Sequence, residues 1–315
     1  MQAIVEVVLP VFGLILCGYF LARSPVLSEE GAKGLTGFVF YVAIPALLFR
    51  TVVRGIKTEQ LDFTIVYAYF TGAAVIFAVA MVIGRLLFRR SFAAQALMGM
   101  TSVFGNTVML GLPLIYMAFG EAGVVPVSLI VAFHSTILIT ATTILLELSR
   151  GQRRGYGVII ATALTALLRN PVILALLAGF AWVATGLTLP TVADRFITLL
   201  SGAAAPCALA ALGASLAAYR LGGDLRESAV VVGLKLLAMP AVVWLLCTWV
   251  FPIDPLWAAV AAIIAAQPVG ANVFILAQQY DTYTARSASA VLISTILSVL
   301  VLALMIARLA PETVG

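Results

Sequence analysis

Long apolar segments follow one another along almost the whole chain, with only short polar connections between them. The pattern predicts ten helices, near residues 3–23, 34–53, 63–88, 94–118, 123–147, 170–189, 196–218, 228–250, 256–279 and 285–307. About 20 predominantly apolar residues are enough for a helix to cross the hydrocarbon core of a bilayer. Because no connection is long enough to hold a soluble domain, we expect an all-α integral membrane protein with ten transmembrane helices.

The composition agrees with this pattern and excludes several classes of protein. Of the 315 residues, 63% are hydrophobic and 10% are charged, and the mean hydropathy is +1.15. A soluble domain has roughly 25% charged residues, so a soluble enzyme, a disordered chain and a nucleic-acid-binding protein are excluded. The sequence also contains no nucleophile elbow, zinc-protease motif or Walker loop. We therefore expect no enzyme activity, no cofactor, no metal ion and no nucleic-acid partner.

The distribution of basic residues predicts how the chain is oriented. The net charge is +5, from 18 Lys and Arg against 13 Asp and Glu. Cytoplasmic loops of membrane proteins are enriched in Lys and Arg. If the N-terminus lies outside, twelve basic residues fall in inner connections and five in outer ones. This asymmetry predicts that both termini lie outside.

The two halves of the chain share a pattern that indicates an internal repeat. A displacement of 161 residues matches Pro10 to Pro171, Gly18 to Gly179, Pro45 to Pro206 and Asn106 to Gln267. Each half contains five predicted spans, and an odd number forces the second copy into the opposite orientation. Inverted repeats are common in secondary transporters, which bind substrate near the membrane midplane. We therefore expect two inverted repeats, over residues 1–150 and 151–315.

Spans four and nine combine amide, glycine and proline residues and are the most irregular of the ten. They read TSVFGNTVMLGLPLIY and AAQPVGANVFILAQQY. Single prolines kink many membrane helices without a functional role, but broken helices also expose N-terminal amides that suit an anion. Such breaks persist in a membrane only inside protein or around a watery cavity. The predicted substrate-binding residues are Asn106, Thr107, Gln267, Gly270 and Asn272, and the residues that shape the breaks are Gly105, Gly111, Pro113 and Pro268.

Two ionisable residues inside the spans allow two interpretations each. Lys235 lies within span eight, where a full charge is functional by default. It either supports an anion electrostatically or extends its ammonium group to the membrane surface. His134, the only histidine, lies in span five. It either lines the substrate site and responds to pH near neutrality, or packs as a neutral residue.

Six strings in order resemble one known family. They are GNTVMLGLPLI in span four, YVAIPALLF in span two, LRNPVILALLAG in span six, ALAALGASL in span seven, LKLLAMPAVV in span eight and FILAQQY in span nine. Together they resemble the auxin efflux carrier family, which includes plant PIN carriers and bacterial permeases described as malonate transporters. The resemblance implies a scaffold of spans one, two, six and seven, usually dimeric. It also implies a transport domain of spans three to five and eight to ten that moves as an elevator.

The resemblance also assigns roles to individual residues. Asn106 matches the family's crossover asparagine, and Pro113 and Pro268 match the crossover prolines. His134 falls where plant carriers have a glutamine in the site, which implies that it lines the cavity. Lys235 falls near a basic residue of the plant eighth span. The sequence departs from the plant pattern in span three, where Tyr67, Ala68 and Tyr69 stand in place of an acidic residue.

The expected function is secondary active transport of small organic anions by an alternating-access elevator mechanism. The expected substrates are mono- or dicarboxylates such as malonate or auxin-like acids. The expected setting is the bacterial inner membrane, with lipid and a second copy of the chain as partners. One alternative is a sodium-coupled organic-anion symporter of the bile-acid type. A channel or a non-transporting receptor is another.

Overall fold

A computed structural model describes residues 7–55, 62–150, 161, 164–165, 167–219 and 221–309, and these residues form helices without any named β-strand. This confirms the all-α prediction. The helices are α1 (Leu9–Arg23), α2 (Glu29–Arg54), α3 (Thr64–Leu86), α4 (Phe92–Val103), α5 (Thr107–Phe119), α6 (Glu121–Ser149), α7 (Pro171–Ala184), α8 (Thr191–Leu216), α9 (Leu225–Val250), α10 (Pro255–Ala265), α11 (Asn272–Gln279) and α12 (Thr284–Leu309).

The described helices fall on the ten segments that the hydropathy pattern predicts. Six of them, α2, α3, α6, α8, α9 and α12, are each long and apolar enough to cross a membrane. The apolar helices α1, α4, α5, α7 and α10 are shorter, and spans four and nine are each divided into two helices. These features fit an integral membrane protein, while ten crossings and the orientation stay predictions. Four basic residues behind the orientation, Lys57, Arg153, Arg154 and Arg220, lie outside the described residues.

Polar side chains fix where several helices begin after a connection. The side chains of Ser28, Ser91, Asn170, Asp224 and Asp254 each accept a hydrogen bond from a backbone N–H in the first turn of the helix that follows. The first N–H groups of a helix have no intrahelical partner, so these caps satisfy otherwise unpaired donors. The apolar segments therefore begin as helices at defined residues.

Three prolines inside the helices are accompanied by π-helical turns. Proline lacks an N–H donor and clashes with the carbonyl group of the preceding turn, and a wider turn relieves that clash. In each case the wide turn ends two residues before the proline. The turns are Val39–Ala43 before Pro45 in α2, Thr107–Gly111 before Pro113 in α5, and Leu234–Ala238 before Pro240 in α9.

One set of helices packs through close contacts at two glycines. Helix α1 packs on the C-terminal half of α8, and the C-terminal half of α2 packs on α7. A Cβ atom at Gly18 would overlap the carbonyl oxygen of Ala210, and one at Gly179 would lie 3.4 Å from the carbonyl oxygen of Phe49. The two contacts are related by the 161-residue displacement, since Gly18 corresponds to Gly179 and Phe49 to Ala210.

A second set of helices packs around α6. Helices α3, α4, α5 and α10 contact α6, and α9 packs between α10 and α12. A buried carboxylate stabilises one end of this set. Glu227 in the first turn of α9 forms ion pairs with Arg90 at 2.7 Å and Arg286 at 2.8 Å. The hydrogen bond to Glu227 raises the pKa of Arg90, which lies in the connection before α4. The carboxylate thus joins the connection before α4 to the starts of α9 and α12.

Candidate functional site

The breaks in spans four and nine cross each other and satisfy each other's backbone groups. The N–H of Asn106 donates to the carbonyl oxygen of Pro268 at 2.8 Å, and the N–H of Gly270 donates to the carbonyl oxygen of Phe104 at 3.0 Å. Unpaired backbone groups are costly in a membrane interior. The crossing resolves this cost by joining two interrupted helices through an antiparallel pair of hydrogen bonds.

Side chains from two long helices complete the hydrogen bonding of the crossing. Gly105 and Val269 lie opposite each other at its centre. The N–H of Gly105 donates to Nε2 of His134 at 3.2 Å, and the N–H of Val269 donates to Oγ of Ser294 at 2.9 Å. All four crossing amides, including those of Asn106 and Gly270, therefore have partners.

The pairing at the crossing does not follow the 161-residue displacement of the predicted repeat. The paired residues Gly105 and Val269 are 164 positions apart, three more than the displacement that matches other parts of the two halves. At a displacement of 164 residues, Asn106 corresponds to Gly270. Gln267, which the displacement of 161 residues matches to Asn106, lies three residues earlier, at the end of the first half of span nine.

His134 lies directly behind the crossing as a neutral imidazole. Because its Nε2 accepts the Gly105 N–H, the ring proton of the neutral form is on Nδ1, which lies 3.4 Å from the Tyr69 hydroxyl. The ring also packs on Phe104 with 4.7 Å between centroids. An imidazolium would lose the bond from Gly105. His134 is buried and does not line the cavity described below, whereas its neighbour Ser135 does.

Lys235 places its charge at the ends of two helices. The side chain is fully buried, and its Nζ donates to the carbonyl oxygen of Ala265, the last residue of α10. A Cβ atom at Gly105, just beyond the end of α4, would lie 3.3 Å from the same Nζ. Helix C-termini carry partial negative charge that a cation stabilises. The interpretation in which Lys235 extends to the membrane surface is therefore wrong.

Gln267, which the sequence predicts to bind substrate, is packed behind the crossing together with the break-shaping residues Gly111 and Pro113. Gln267 is fully buried, and its Nε2 donates to the carbonyl oxygen of Ile263 at 3.1 Å. A Cβ atom at Gly111 would lie 3.3 Å from Cγ of Gln267 and 2.8 Å from Ile264. Pro113 is buried in α5 as well. Gln267, like His134, therefore does not line the cavity.

A cavity of about 560 Å³ lies in front of the crossing. On one side it is lined by Asn106, Thr107, Gly270 and Asn272, together with neighbouring residues of both breaks. The opposite side consists of one face of α2 and one face of α8. Six residues are predicted to bind substrate, His134 included, and the structure thus brings four of them to one surface. A second cavity of about 620 Å³, near the connection between α1 and α2, shares lining residues with the first.

Two helix N-termini face this cavity. Helices α5 and α11 begin at Thr107 and Asn272, and the first N–H groups of a helix have no partner within it. Asn106 uses Oδ1 to accept from Met109 N–H at 3.2 Å, so its side-chain NH₂ remains as a donor. The residue before α11, Ala271, provides no side-chain cap. Partial positive charge and free donors suit a carboxylate.

Sequence reasoning missed several residues around the crossing and its cavity, and the repeat points to within one position of one of them, Ser294. Ser294 lies 160 positions after His134. It accepts a hydrogen bond from a backbone N–H of the second break, as His134 does from the first. The face of α2 that lines the cavity carries Lys33, Thr36 and Phe40, spaced as one side of a helix. Nothing in the sequence indicates that this face meets spans four and nine, because that depends on tertiary packing.

Comparisons with known proteins place the chain in a family. The membrane transport protein family matches residues 3–306. A protein of Rhizobium meliloti named "Putative malonate transporter" is 32% identical, over 95% of this chain and 93% of its own length. An "Uncharacterized transporter" of Methanocaldococcus jannaschii is 27% identical over 95% of this chain and 96% of its own, and one of Escherichia coli is 26% identical over 91% and 92%. The chain therefore belongs to the membrane transport protein family, the family of auxin efflux carriers, and is a membrane transporter rather than an enzyme.

Proposed function

We propose that the chain is a secondary active transporter that binds small organic carboxylates in the cavity in front of the helix crossing. One observation carries the proposal: two helix N-termini and the side-chain amide of Asn106 face a cavity lined by no acidic residue among those described. The name of the relative from Rhizobium meliloti points to the same class of substrate.

An elevator mechanism is part of this proposal. Helices α1, α2, α7 and α8 would form the scaffold, and the helices packed around α6, together with α9, α11 and α12, would form the moving transport domain. The matching contacts at Gly18 and Gly179 support two inverted repeats, since each glycine packs on the other half. The cavity lies between the two sets, where alternating access requires the substrate. We also propose a scaffold-mediated homodimer in the bacterial inner membrane, with both termini outside.

The proposal favours transport that does not require sodium. The amine of Lys235 donates at the end of α10, and the described cavity-lining residues include no carboxylate that would bind a hard cation. A sodium-coupled symporter of the bile-acid type is the competing candidate. Uptake of malonate into proteoliposomes with and without a sodium gradient separates them, because only the competitor loses uptake when sodium is replaced by potassium.

The test of the binding site uses two capping asparagines. Asn106 caps α5 at the cavity. Asn170 does not line the cavity, and it caps α7 by accepting a hydrogen bond of 2.9 Å from the Val172 N–H. Either change to Ala costs about 0.5–2 kcal/mol of stability. A lost ligand hydrogen bond costs on the order of 1–3 kcal/mol. We therefore expect Asn106→Ala to weaken malonate binding roughly 5- to 150-fold and Asn170→Ala to leave it unchanged.

A counterflow assay compares the same two variants by transport instead of binding. Proteoliposomes loaded with unlabelled malonate should accumulate labelled malonate transiently with wild-type protein and with Asn170→Ala, but poorly with Asn106→Ala. A channel gives no counterflow and a receptor gives no flux. Equal counterflow by the two variants would show that the crossing is not the substrate site.

A further inference from the structure

One charged side chain lines the cavity among the residues that the structure describes, and it lies on the wall opposite the crossing. Lys33 belongs to the first turns of α2, and the same face of α2 contributes Thr36, Gly37, Phe40 and Tyr41 to the cavity. Lys33 also lines the adjoining cavity near the α1–α2 connection. Lys33 therefore belongs to the wall that the two cavities share.

The repeat explains why Lys33 is left facing the cavity. At the other end of the scaffold, Arg54 of α2 pairs with Asp194 of α8 at 2.9 Å. A displacement of 161 residues relates Lys33 to Asp194 and Arg54 to Ser215. The equivalent position across from Lys33 is therefore a serine that also lines the cavity. An ion pair thus joins α2 to α8 at one end of the scaffold. At the other end, the α8 residue equivalent to Arg54 is Ser215, which gives Lys33 no opposite charge on α8.

The partner that Lys33 does have is one that a ligand can displace. Its Nζ lies 2.7 Å from Glu29, one turn earlier on the same helix, and the two side chains are 73% and 82% exposed. An exposed pair of this kind contributes little to stability, because water screens it on all sides. Exchanging the Glu29 carboxylate for a substrate carboxylate therefore costs little, and the ammonium group remains beside the cavity during the exchange.

We propose that Lys33 contributes to the preference of the transporter for dicarboxylates over monocarboxylates, by binding the second carboxylate of a substrate whose first carboxylate lies at the crossing. This inference rests on the proposed function and deepens it. A monocarboxylate uses the helix N-termini and Asn106 alone. A dicarboxylate also gains a contact with the scaffold, and movement of the transport domain would break that contact.

The test compares malonate with propionate, which has the same three-carbon length and one carboxylate. Binding of each is measured by calorimetry on purified wild-type protein and on Lys33→Gln, Lys33→Arg and Glu29→Gln. We expect Lys33→Gln to weaken malonate binding about 2- to 5-fold, as suits a mostly exposed charge, and to change propionate binding less than twofold. Lys33→Arg keeps the charge and should retain most of the malonate affinity.

Glu29→Gln provides the sharper comparison, because the two interpretations of the Lys33–Glu29 pair predict opposite signs. If Lys33 serves the substrate, removal of the competing carboxylate should raise malonate affinity about twofold. If the pair only stabilises α2, Glu29→Gln and Lys33→Gln should act alike on both ligands, and that result overturns the inference. Wild-type protein that binds propionate and malonate equally well also overturns it, whereas wild-type protein that binds neither overturns the proposed function itself.

Discussion

The buried ammonium of Lys235 gives a quantitative prediction about how the crossing attracts an anion. The Nζ lies 3.3 Å from a Cβ atom built at Gly105, and Gly105 lines the cavity from the other side. We place a carboxylate bound at the crossing one interstrand spacing beyond that Cβ position. Its distance from Nζ is then about 8 Å. With an effective dielectric constant of about 20, a charge at that distance gains about 2 kcal/mol, and a second carboxylate at about 11 Å gains about 1.5 kcal/mol more.

The change that tests this is Lys235→Met, which shortens the side chain by one heavy atom and removes its charge. The expected loss of affinity is roughly 30-fold for propionate and several hundred-fold for malonate. The same change deprives the Ala265 carbonyl oxygen of its donor but also removes a buried charge. Because these two effects on folding oppose each other, we expect the free energy of unfolding to change by less than about 2 kcal/mol.

The assay is calorimetric binding of both ligands, with thermal unfolding of the purified protein measured in parallel. Lys33→Met serves as the comparison, because its charge is exposed and should affect malonate alone and only modestly. If Lys235→Met binds both ligands as the wild type does, the ammonium has no electrostatic role in the site. If it lowers the two affinities by equal factors, its effect comes from a distorted crossing, and the Coulomb reasoning is refuted.

Three further predictions concern the architecture. Glu227→Gln removes a buried carboxylate between two arginines and should destabilise the protein by about 2–4 kcal/mol, measured as a lower unfolding temperature with malonate affinity little changed. Arg50 of α2 pairs with Glu121 at the start of α6 at 3.3 Å, between the proposed scaffold and transport domain and far from Lys33 along α2. Arg50→Gln should therefore speed malonate counterflow. An unchanged rate would show that this contact does not limit the movement. Gly18→Val places side-chain atoms on the backbone of α8 and should lower the yield of folded protein, whereas Gly13→Val, where a Cβ meets nothing within 4 Å, should not.

The sequence by itself was enough for the helical segments, the position of both breaks and the family. Hydropathy is a local property, so a run of apolar residues predicts a helix wherever it folds, and the predicted segments correspond to the described helices within a few residues at most ends. Proline and glycine act through the backbone of their own turn. For that reason the irregular strings around Asn106 and Pro268 are sufficient to locate the crossing.

Only the tertiary structure decided which side of the crossing each polar residue serves. Lys235 and His134 lie in apolar helices whose periodicity does not say which neighbour they face, and the structure places both behind the crossing, on the Ala265 carbonyl oxygen and the Gly105 amide. Lys33 is a surface lysine by sequence, and it lines the cavity because α2 packs opposite both breaks. Contacts between residues far apart in the chain depend on how the helices pack, and a local pattern does not contain that information.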